Sequence, residues 1–250
     1  MTQIEVEDSS TERMQRVYAR IAGFLFLWLI ITGLAGALTI SHIVGSGTFA
    51  EKAKRVVALD QLYRVALCSE LIETMSAALL AFALYVTLRP VDRLLAQFAM
   101  YWRLGESFIG AMGSILGFST LHLYSSPQSI AVFGTAQSQA MVDLIGHAGS
   151  VVVNVSATFF GIGSILFFYL FFKSRYIPRL LSAFGVFASV IVPVMCFGNL
   201  IFPKHSAMLQ YGWAPMAIAE ILTGFWLLFL TIKIHSRSDS RTTHPAIVRS

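Results

Sequence analysis

Residues 93–119 read RLLAQFAMYWRLGESFIGAMGSILGFS, and this stretch determines how the rest of the chain is interpreted. It is mostly apolar and long enough to cross the roughly 30 Å hydrocarbon core of a bilayer as a helix. Arg103 and Glu106 nevertheless lie near its middle. Charges at that depth are costly and almost always face the interior of a helical bundle, with a partner. The stretch therefore predicts a membrane helix with a polar inward face.

The composition of the chain indicates that lipid is its main solvent. Of 250 residues, 56% are hydrophobic and only 12% are charged. An ordinary soluble domain has about one-quarter charged residues, so this composition excludes that class. The formal net charge is +5, but the Lys and Arg residues flank apolar runs, as they do in membrane proteins. We therefore expect the lipid bilayer as a partner and no nucleic acid.

Six apolar runs reach the roughly 20 residues that a membrane-spanning helix needs. Backbone groups in lipid must be satisfied within their own segment, so each run predicts an α-helix. The predicted fold class is all-α, a polytopic membrane protein with six transmembrane helices. The predicted spans cover about 21–43, 64–88, 93–119, 143–172, 178–203 and 213–234. They form one domain, residues 20–235, between an N-terminal segment, 1–19, and a basic tail, 236–250.

The distribution of Lys and Arg predicts the direction of these spans. With the N-terminus in the cytoplasm, the cytoplasmic segments hold twelve Lys and Arg residues and the outer segments hold five. Cytoplasmic loops are the ones enriched in these residues. We therefore predict a multi-pass protein of a cell inner membrane with both termini cytoplasmic.

The connections and the cysteines allow further predictions. Residues 44–63 predict a short amphipathic helix on the outer surface. Residues 120–142 are rich in Ser, Gln and Gly, which predicts a loop. Cys68 and Cys196 lie in apolar runs and far apart, which predicts buried thiols without a disulfide.

Several short motifs resemble those of a known family. They are RIAG at 20–23, YR at 63–64, LYVTLRPVDR at 84–93, WRLGES at 102–107 and SRYIPRLL at 174–181. Together they resemble a bacterial family of six-span integral membrane proteins known chiefly as a domain of unknown function. The resemblance covers about residues 14–235. It implies an inner-membrane protein of six helices and no assigned reaction.

The second and third spans place acidic residues opposite the pair in WRLGES. Glu70 and Glu73 are three residues apart, so they share a face of their helix, as do Arg103 and Glu106. A tight turn joins the two spans, which predicts that they pack antiparallel. Counting from that turn places Glu73 and Glu106 at nearly one level, with Arg103 about one turn away. A guanidinium can bridge carboxylates over that distance.

The fourth and sixth spans add further polar residues. One face of span four is predicted to be polar for four turns. Its members are Asp143, His147, Ser150, Asn154 and Thr158. Span six contributes Glu220. Counted from the helix ends, these groups map to the outer half of the membrane.

These positions predict a polar, carboxylate-rich cavity in the outer half of the bundle, framed by spans two, three, four and six. So many carboxylates cannot all stay ionised in a dry site, so either water and cations enter or some carboxyl groups hold protons. A protonated carboxyl can act as a general acid. The predicted catalytic residues are Glu73, Glu106 and Asp143. The predicted substrate- or ion-binding residues are Glu70, Arg103, His147, Asn154 and Glu220.

Three functions are compatible with this pattern. The first is acid/base chemistry on a lipidic or small apolar substrate. The second is proton- or cation-coupled transport of a small molecule, although the chain has no inverted repeat that would indicate a transporter. The third is a structural or sensory membrane protein whose charges serve only helix packing. The ligand expected for the first two is small and either apolar or cationic.

No motif in the chain indicates a metal or another cofactor, and we expect none. His42, His122 and His147 lie near the predicted outer surface and could form a metal site with Asp143. Their spacing is not diagnostic of a metal site. No feature of the sequence specifies an oligomeric state.

Overall fold

The computed structural model describes residues 3–230 and residue 232, and every regular element in this part of the chain is helical. The α-helices are α1 Gln3–Val44, α2 Phe49–Ala58, α3 Asp60–Leu88, α4 Arg93–Ser125, α5 Pro127–Ser174, α6 Arg179–Ile201, α7 Ser206–Leu209 and α8 Trp213–Phe229. Short 3-10 turns, Pro203–His205 and Gln210–Gly212, flank α7. The all-α prediction is confirmed. The predicted basic tail, 236–250, lies outside the described residues.

The six long helices form a closed ring. α1 packs against α3, α3 against α4, α4 against α5, α5 against α6, α6 against α8, and α8 returns to α1. Helices on opposite sides of the ring, such as α4 and α8, make no close backbone contact within the described residues. The ring therefore leaves a central space between inward-facing side chains.

Five stretches of helix in the described part of the chain are long and apolar enough to cross a membrane, so this is a multi-pass membrane protein. They are Thr11–Val44, Asp60–Leu88, Ile130–Ser174, Arg179–Ile201 and Gln210–Phe229. Helix α4 is not among them, because Arg103, Glu106 and its many Gly and Ser residues lower its mean hydropathy. Five of the six predicted spans are thus supported, and the span at 93–119 stays a prediction.

The predicted loop at 120–142 is wrong. α4 continues to Ser125, and α5 begins at Pro127 after a single residue. Proline suits the first position of a helix, where its missing N–H has no partner to lose. Gly134, at φ 75°, bends the chain within α5, a conformation that glycine adopts without steric cost. The Ser- and Gln-rich composition reflects exposed helix rather than loop.

The connection between α1 and α3 contains the predicted amphipathic helix, α2. Thr48 Oγ1 accepts a hydrogen bond from the backbone N–H of Glu51 (3.4 Å). The Glu51 carboxylate accepts one in return from the backbone N–H of Thr48 (2.8 Å). This reciprocal capping box fixes the start of the helix. Phe49 and Val56 are buried, whereas Lys54 is exposed.

The two cysteines lie in different surroundings, and both are free. Cys196 is buried, as predicted. Cys68 is exposed, so the prediction of a buried thiol is wrong there. The reason is that a helix in lipid is apolar on its outward face as well as its inward face, so an apolar run does not identify the buried side.

Candidate functional site

A cavity of about 480 Å³ lies inside the ring. Its walls come from α1, α3, α4, α5 and α8. The charged residues in these walls are Glu73 on α3, Arg103 and Glu106 on α4, and Glu220 on α8. The volume falls in the range of small-molecule sites, roughly 300–1,000 Å³. The fold therefore brings four predicted site residues, from three helices, to one cavity.

Glu73 and Glu106 lie at matching depth in this cavity. Glu73 precedes the end of α3 by 15 residues, and Glu106 follows the start of α4 by 13. At about 1.5 Å per residue, both lie roughly 20 Å from the turn that joins the helices. The match in depth that was predicted from the sequence agrees with their shared position in the cavity wall.

Arg103 is deeply buried, with 2% relative exposure, and three groups surround it. Its Nε lies 3.1 Å from Glu106 Oε2. Its Nη1 donates a hydrogen bond to Ser164 Oγ on α5 (3.4 Å). Its guanidinium carbon lies 4.4 Å from the centre of the Phe160 ring, also on α5, a cation–π contact. Arg103 therefore links α4 to α5 at the edge of the cavity.

The polar atoms around Arg103 are incompletely paired. Arg103 Nε and Glu106 Oε2 are close but not aligned for a hydrogen bond, and neither has another hydrogen-bond partner among the described residues. Buried polar groups in proteins are nearly always hydrogen-bonded. An additional donor or acceptor at this position would therefore stabilise the site.

Carboxyl groups outnumber cationic groups in the cavity wall. The wall holds three carboxyl groups, those of Glu73, Glu106 and Glu220, and one guanidinium group, that of Arg103. One guanidinium can offset one carboxylate, so two of the three cavity carboxyl groups have no cation of their own.

Glycines on neighbouring helices make room for two of the charged side chains. A Cβ atom on Gly33 of α1 would lie 2.8 Å from Glu73 Oε1. A Cβ atom on Gly163 of α5 would lie 2.8 Å from Arg103 Cγ and 3.1 Å from the Ala99 carbonyl oxygen. A larger residue at either position would displace the charged group or its helix. These glycines are therefore part of the site although they carry no charge.

The remaining wall of the cavity is mostly apolar. Its hydroxyl residues are Thr74, Ser107 and Ser156. Its apolar residues are Leu29, Ile30, Leu34, Ala77, Val152, Val153, Ala157, Phe160, Trp213, Met216 and Ala217. The Phe160 and Trp213 ring centres are 6.1 Å apart, so an aromatic pair forms one side. Such a lining suits a ligand with an apolar body and a few polar atoms.

Four predicted site residues lie outside the cavity wall: Glu70, Asp143, His147 and Asn154. Asp143 and His147 are exposed. Asp143 Oδ1 accepts a hydrogen bond from Gln139 Nε2 (2.6 Å), one turn earlier on α5.

The rotation of α5 explains why its polar face does not reach the cavity. Asn154 Oδ1 accepts a hydrogen bond from Asn199 Nδ2 (3.1 Å), so this face turns towards α6. The positions of α5 that line the cavity include Val152, Ser156 and Phe160. At 100° per residue, Ser156 lies about 160° around the helix from Asn154.

Sequence reasoning missed four parts of the site: Gly33, Phe160, Ser164 and Trp213. Trp213 is the first residue of α8, and a Trp near the end of a membrane helix is typical of an interface anchor. Gly33 could have been found, because a glycine in an apolar helix often marks a close approach. Nothing in the sequence distinguishes Phe160 or Ser164 from the many other Phe and Ser residues of the chain.

No three His, Cys, Asp or Glu side chains are placed to hold a metal ion within the described residues. His42, His122 and His147 are exposed and form no such group with Asp143.

Comparison with known proteins agrees with the resemblance noted in the sequence. A family model described as "Domain of unknown function (DUF4386)" matches residues 21–230. This range includes all four charged residues of the cavity and nearly the whole ring. No curated protein and no solved structure matches the chain. Because the family model covers most of the chain, this protein belongs to the DUF4386 family, a domain of unknown function.

Proposed function

We propose that this membrane protein binds a small, largely apolar molecule in the cavity of its helical ring and acts on it by acid/base chemistry. One observation carries the proposal: Glu73, Arg103, Glu106 and Glu220 line one cavity whose other walls are mostly apolar. Small-molecule sites combine an apolar lining with a few well-placed polar groups in this way.

Glu73 and Glu106 are the proposed acid/base residues. Three carboxyl groups share one guanidinium here, so in a site with little water some of them hold a proton. A carboxyl group that exchanges a proton can act as general acid or general base on a bound molecule. Arg103 and Glu220 bind and orient the ligand. Asp143 is exposed on α5 and has no part in this mechanism.

We further propose that the ring crosses a bacterial inner membrane six times, with both termini in the cytoplasm. α4 packs along α3 and α5, both of which contain stretches apolar enough to span. A helix held between them over its length has to cross the same layer. An even number of crossings returns the chain to its starting side, and the excess of Lys and Arg favours the cytoplasm for that side.

The proposed site can be tested by filling the cavity. Ala217→Phe places a ring inside the cavity, whereas Ala214→Phe places one on an exposed face of α8. Native mass spectrometry of the purified protein should detect a co-purifying small molecule in the parent and in Ala214→Phe. The molecule should be missing from Ala217→Phe at an unchanged melting temperature. A parent without any bound molecule, or equal occupancy in both variants, would contradict the proposal.

Transport is a second candidate, favoured by the depth of the charged cavity. Glu73 and Glu106 lie roughly 20 Å along their helices, and transporter sites lie near the bilayer midplane. Proteoliposomes with an imposed pH gradient provide the test. Proton flux that depends on an added ligand and stops in Glu73→Gln would favour transport, and its absence would count against it.

A further inference from the structure

We infer that the ligand of this cavity is an organic ammonium ion that also carries a hydroxyl group and an apolar body. The inference rests on the proposed function and names the chemical class of its ligand. Charge, unpaired hydrogen-bonding atoms and the apolar wall each support one part of this description.

The ammonium group is indicated by the excess of carboxyl groups. Glu73 and Glu220 are half-buried, and neither accepts a hydrogen bond from any described residue. Glu73 and Glu220 line the same cavity, so one ligand can contact both. A protonated amine supplies up to three N–H donors and one positive charge. It would therefore pair both glutamates and offset negative charge that Arg103 leaves uncompensated.

The hydroxyl group is indicated by the buried guanidinium. Arg103 is 98% buried and lines the cavity, yet its Nε has no hydrogen bond among the described residues. Nε needs an acceptor, and Glu106 Oε2 beside it needs a donor. A hydroxyl group is both at once. It would accept a hydrogen bond from Arg103 and donate one to Glu106. A carboxylate can only accept hydrogen bonds and an ammonium group can only donate them.

The apolar body is indicated by the rest of the wall and by its volume. Leu29, Ile30, Val152 and Met216 offer no hydrogen-bonding groups on their side chains. Trp213 adds an aromatic face, which attracts organic cations by cation–π interaction. A cavity of about 480 Å³ is larger than an ammonium and a hydroxyl group can fill. A ring or a short hydrocarbon chain would occupy the remainder.

Three probes of similar shape separate these contributions. 2-Amino-1-phenylethanol carries both polar groups, 2-phenylethylamine carries only the ammonium, and 2-phenylethanol carries only a hydroxyl. Binding to the purified full-length protein is measured by isothermal titration calorimetry. The first probe should bind about tenfold more tightly than 2-phenylethanol, because charge-assisted hydrogen bonds are the strong ones. It should bind roughly threefold more tightly than 2-phenylethylamine, the value of one ordinary hydrogen bond.

Matched variants locate the binding. Glu73→Gln and Glu220→Gln should each weaken binding of 2-amino-1-phenylethanol by about tenfold. Glu70→Gln is the control, since Glu70 lies one turn from Glu73 on α3 but outside the cavity wall. Equal affinity for all three probes, no binding of any probe, or the same loss in Glu70→Gln would overturn the inference.

The outcomes also separate this inference from the proposed function. If all three probes bind equally and Ala217→Phe abolishes their binding, the cavity is a ligand site and only the ligand class is wrong. If no probe binds but Ala217→Phe displaces the co-purifying molecule, the cavity is again a ligand site and only the ligand class is wrong. If 2-amino-1-phenylethanol still binds to Ala217→Phe, its site lies elsewhere and the inference fails. The proposed function fails only if Ala217→Phe also retains the co-purifying molecule.

Discussion

At the scale of single residues, the contact between Arg103 and Glu106 explains why an arginine and a glutamate occur inside an apolar helix. Their side chains are 3% and 16% exposed and lie 3.1 Å apart. Each lowers the cost of burying the other. The sequence predicted this partner correctly, because residues three apart share a helix face.

A double-mutant cycle measures this pair. Arg103→Met and Glu106→Gln should each lower the free energy of unfolding by about 3 kcal/mol, because each leaves an unpaired charge in the bundle. The double variant should lose less than the sum of the two, by about 1 kcal/mol or more. Unfolding in mixed micelles, followed by circular dichroism, gives these values. Strictly additive losses would show that the two side chains do not interact.

The close approach at Gly163 gives a second prediction for single residues. Gly163→Ala should lower the free energy of unfolding by about 1–3 kcal/mol, because its Cβ would meet Arg103 and the backbone of Ala99. Gly113→Ala is the control, since a Cβ there meets nothing within 4 Å. It should not lower stability, and the higher helix propensity of Ala should raise it by up to about 1 kcal/mol. Equal losses in the two variants would mean that α4 and α5 do not pack as described.

At the scale of elements, length and type could be predicted from the sequence better than rotation. Apolar runs predicted the long helices, and the amphipathic pattern of 44–63 predicted α2. The polar residues predicted on one face of α5 do share a face, but Asn154 accepts a hydrogen bond from Asn199 on α6 instead of facing the cavity. Polarity shows that a face avoids lipid, but it does not show which neighbour that face meets.

The capping box of α2 predicts a dependence on pH. Hydrogen bonds from Thr48 lower the pKa of the Glu51 carboxyl below its ordinary value of 4.5. The stabilisation by the carboxylate is therefore present above pH 4.5 and is lost as the pH falls through the lowered pKa. Protection factors from hydrogen exchange in α2 should fall across this acidic range. Glu51→Gln should remove the pH dependence, and an identical fall in this variant would contradict the assignment.

At the scale of the whole molecule, closure of the ring decides which residues share a site. Of the polar residues predicted from spans two, three and six, all but Glu70 line one cavity, because α3, α4 and α8 face it. Apart from Gly33, the contribution of α1 could not be predicted, since its other residues there are aliphatic. The sequence does not indicate which cavity an apolar side chain lines.

The crossing of α4 can be tested through the two ends of that helix. In a background without Cys68 and Cys196, Pro90→Cys and Gln128→Cys place one thiol beyond each end. A membrane-impermeant maleimide applied to intact cells should label Gln128→Cys and not Pro90→Cys. Labelling both or neither from one side would mean that α4 does not cross.

The central claim is that separate helices bring their carboxyl groups to one shared cavity. Dicyclohexylcarbodiimide, an apolar reagent that attacks protonated carboxyl groups, tests it most directly when adducts are located by peptide mass spectrometry. Adducts are expected at Glu73, Glu106 or Glu220 in the parent and in Ala214→Phe, and all of them should be lost in Ala217→Phe. Equal labelling in both variants, or labelling confined to Glu70 and Asp143, would contradict it.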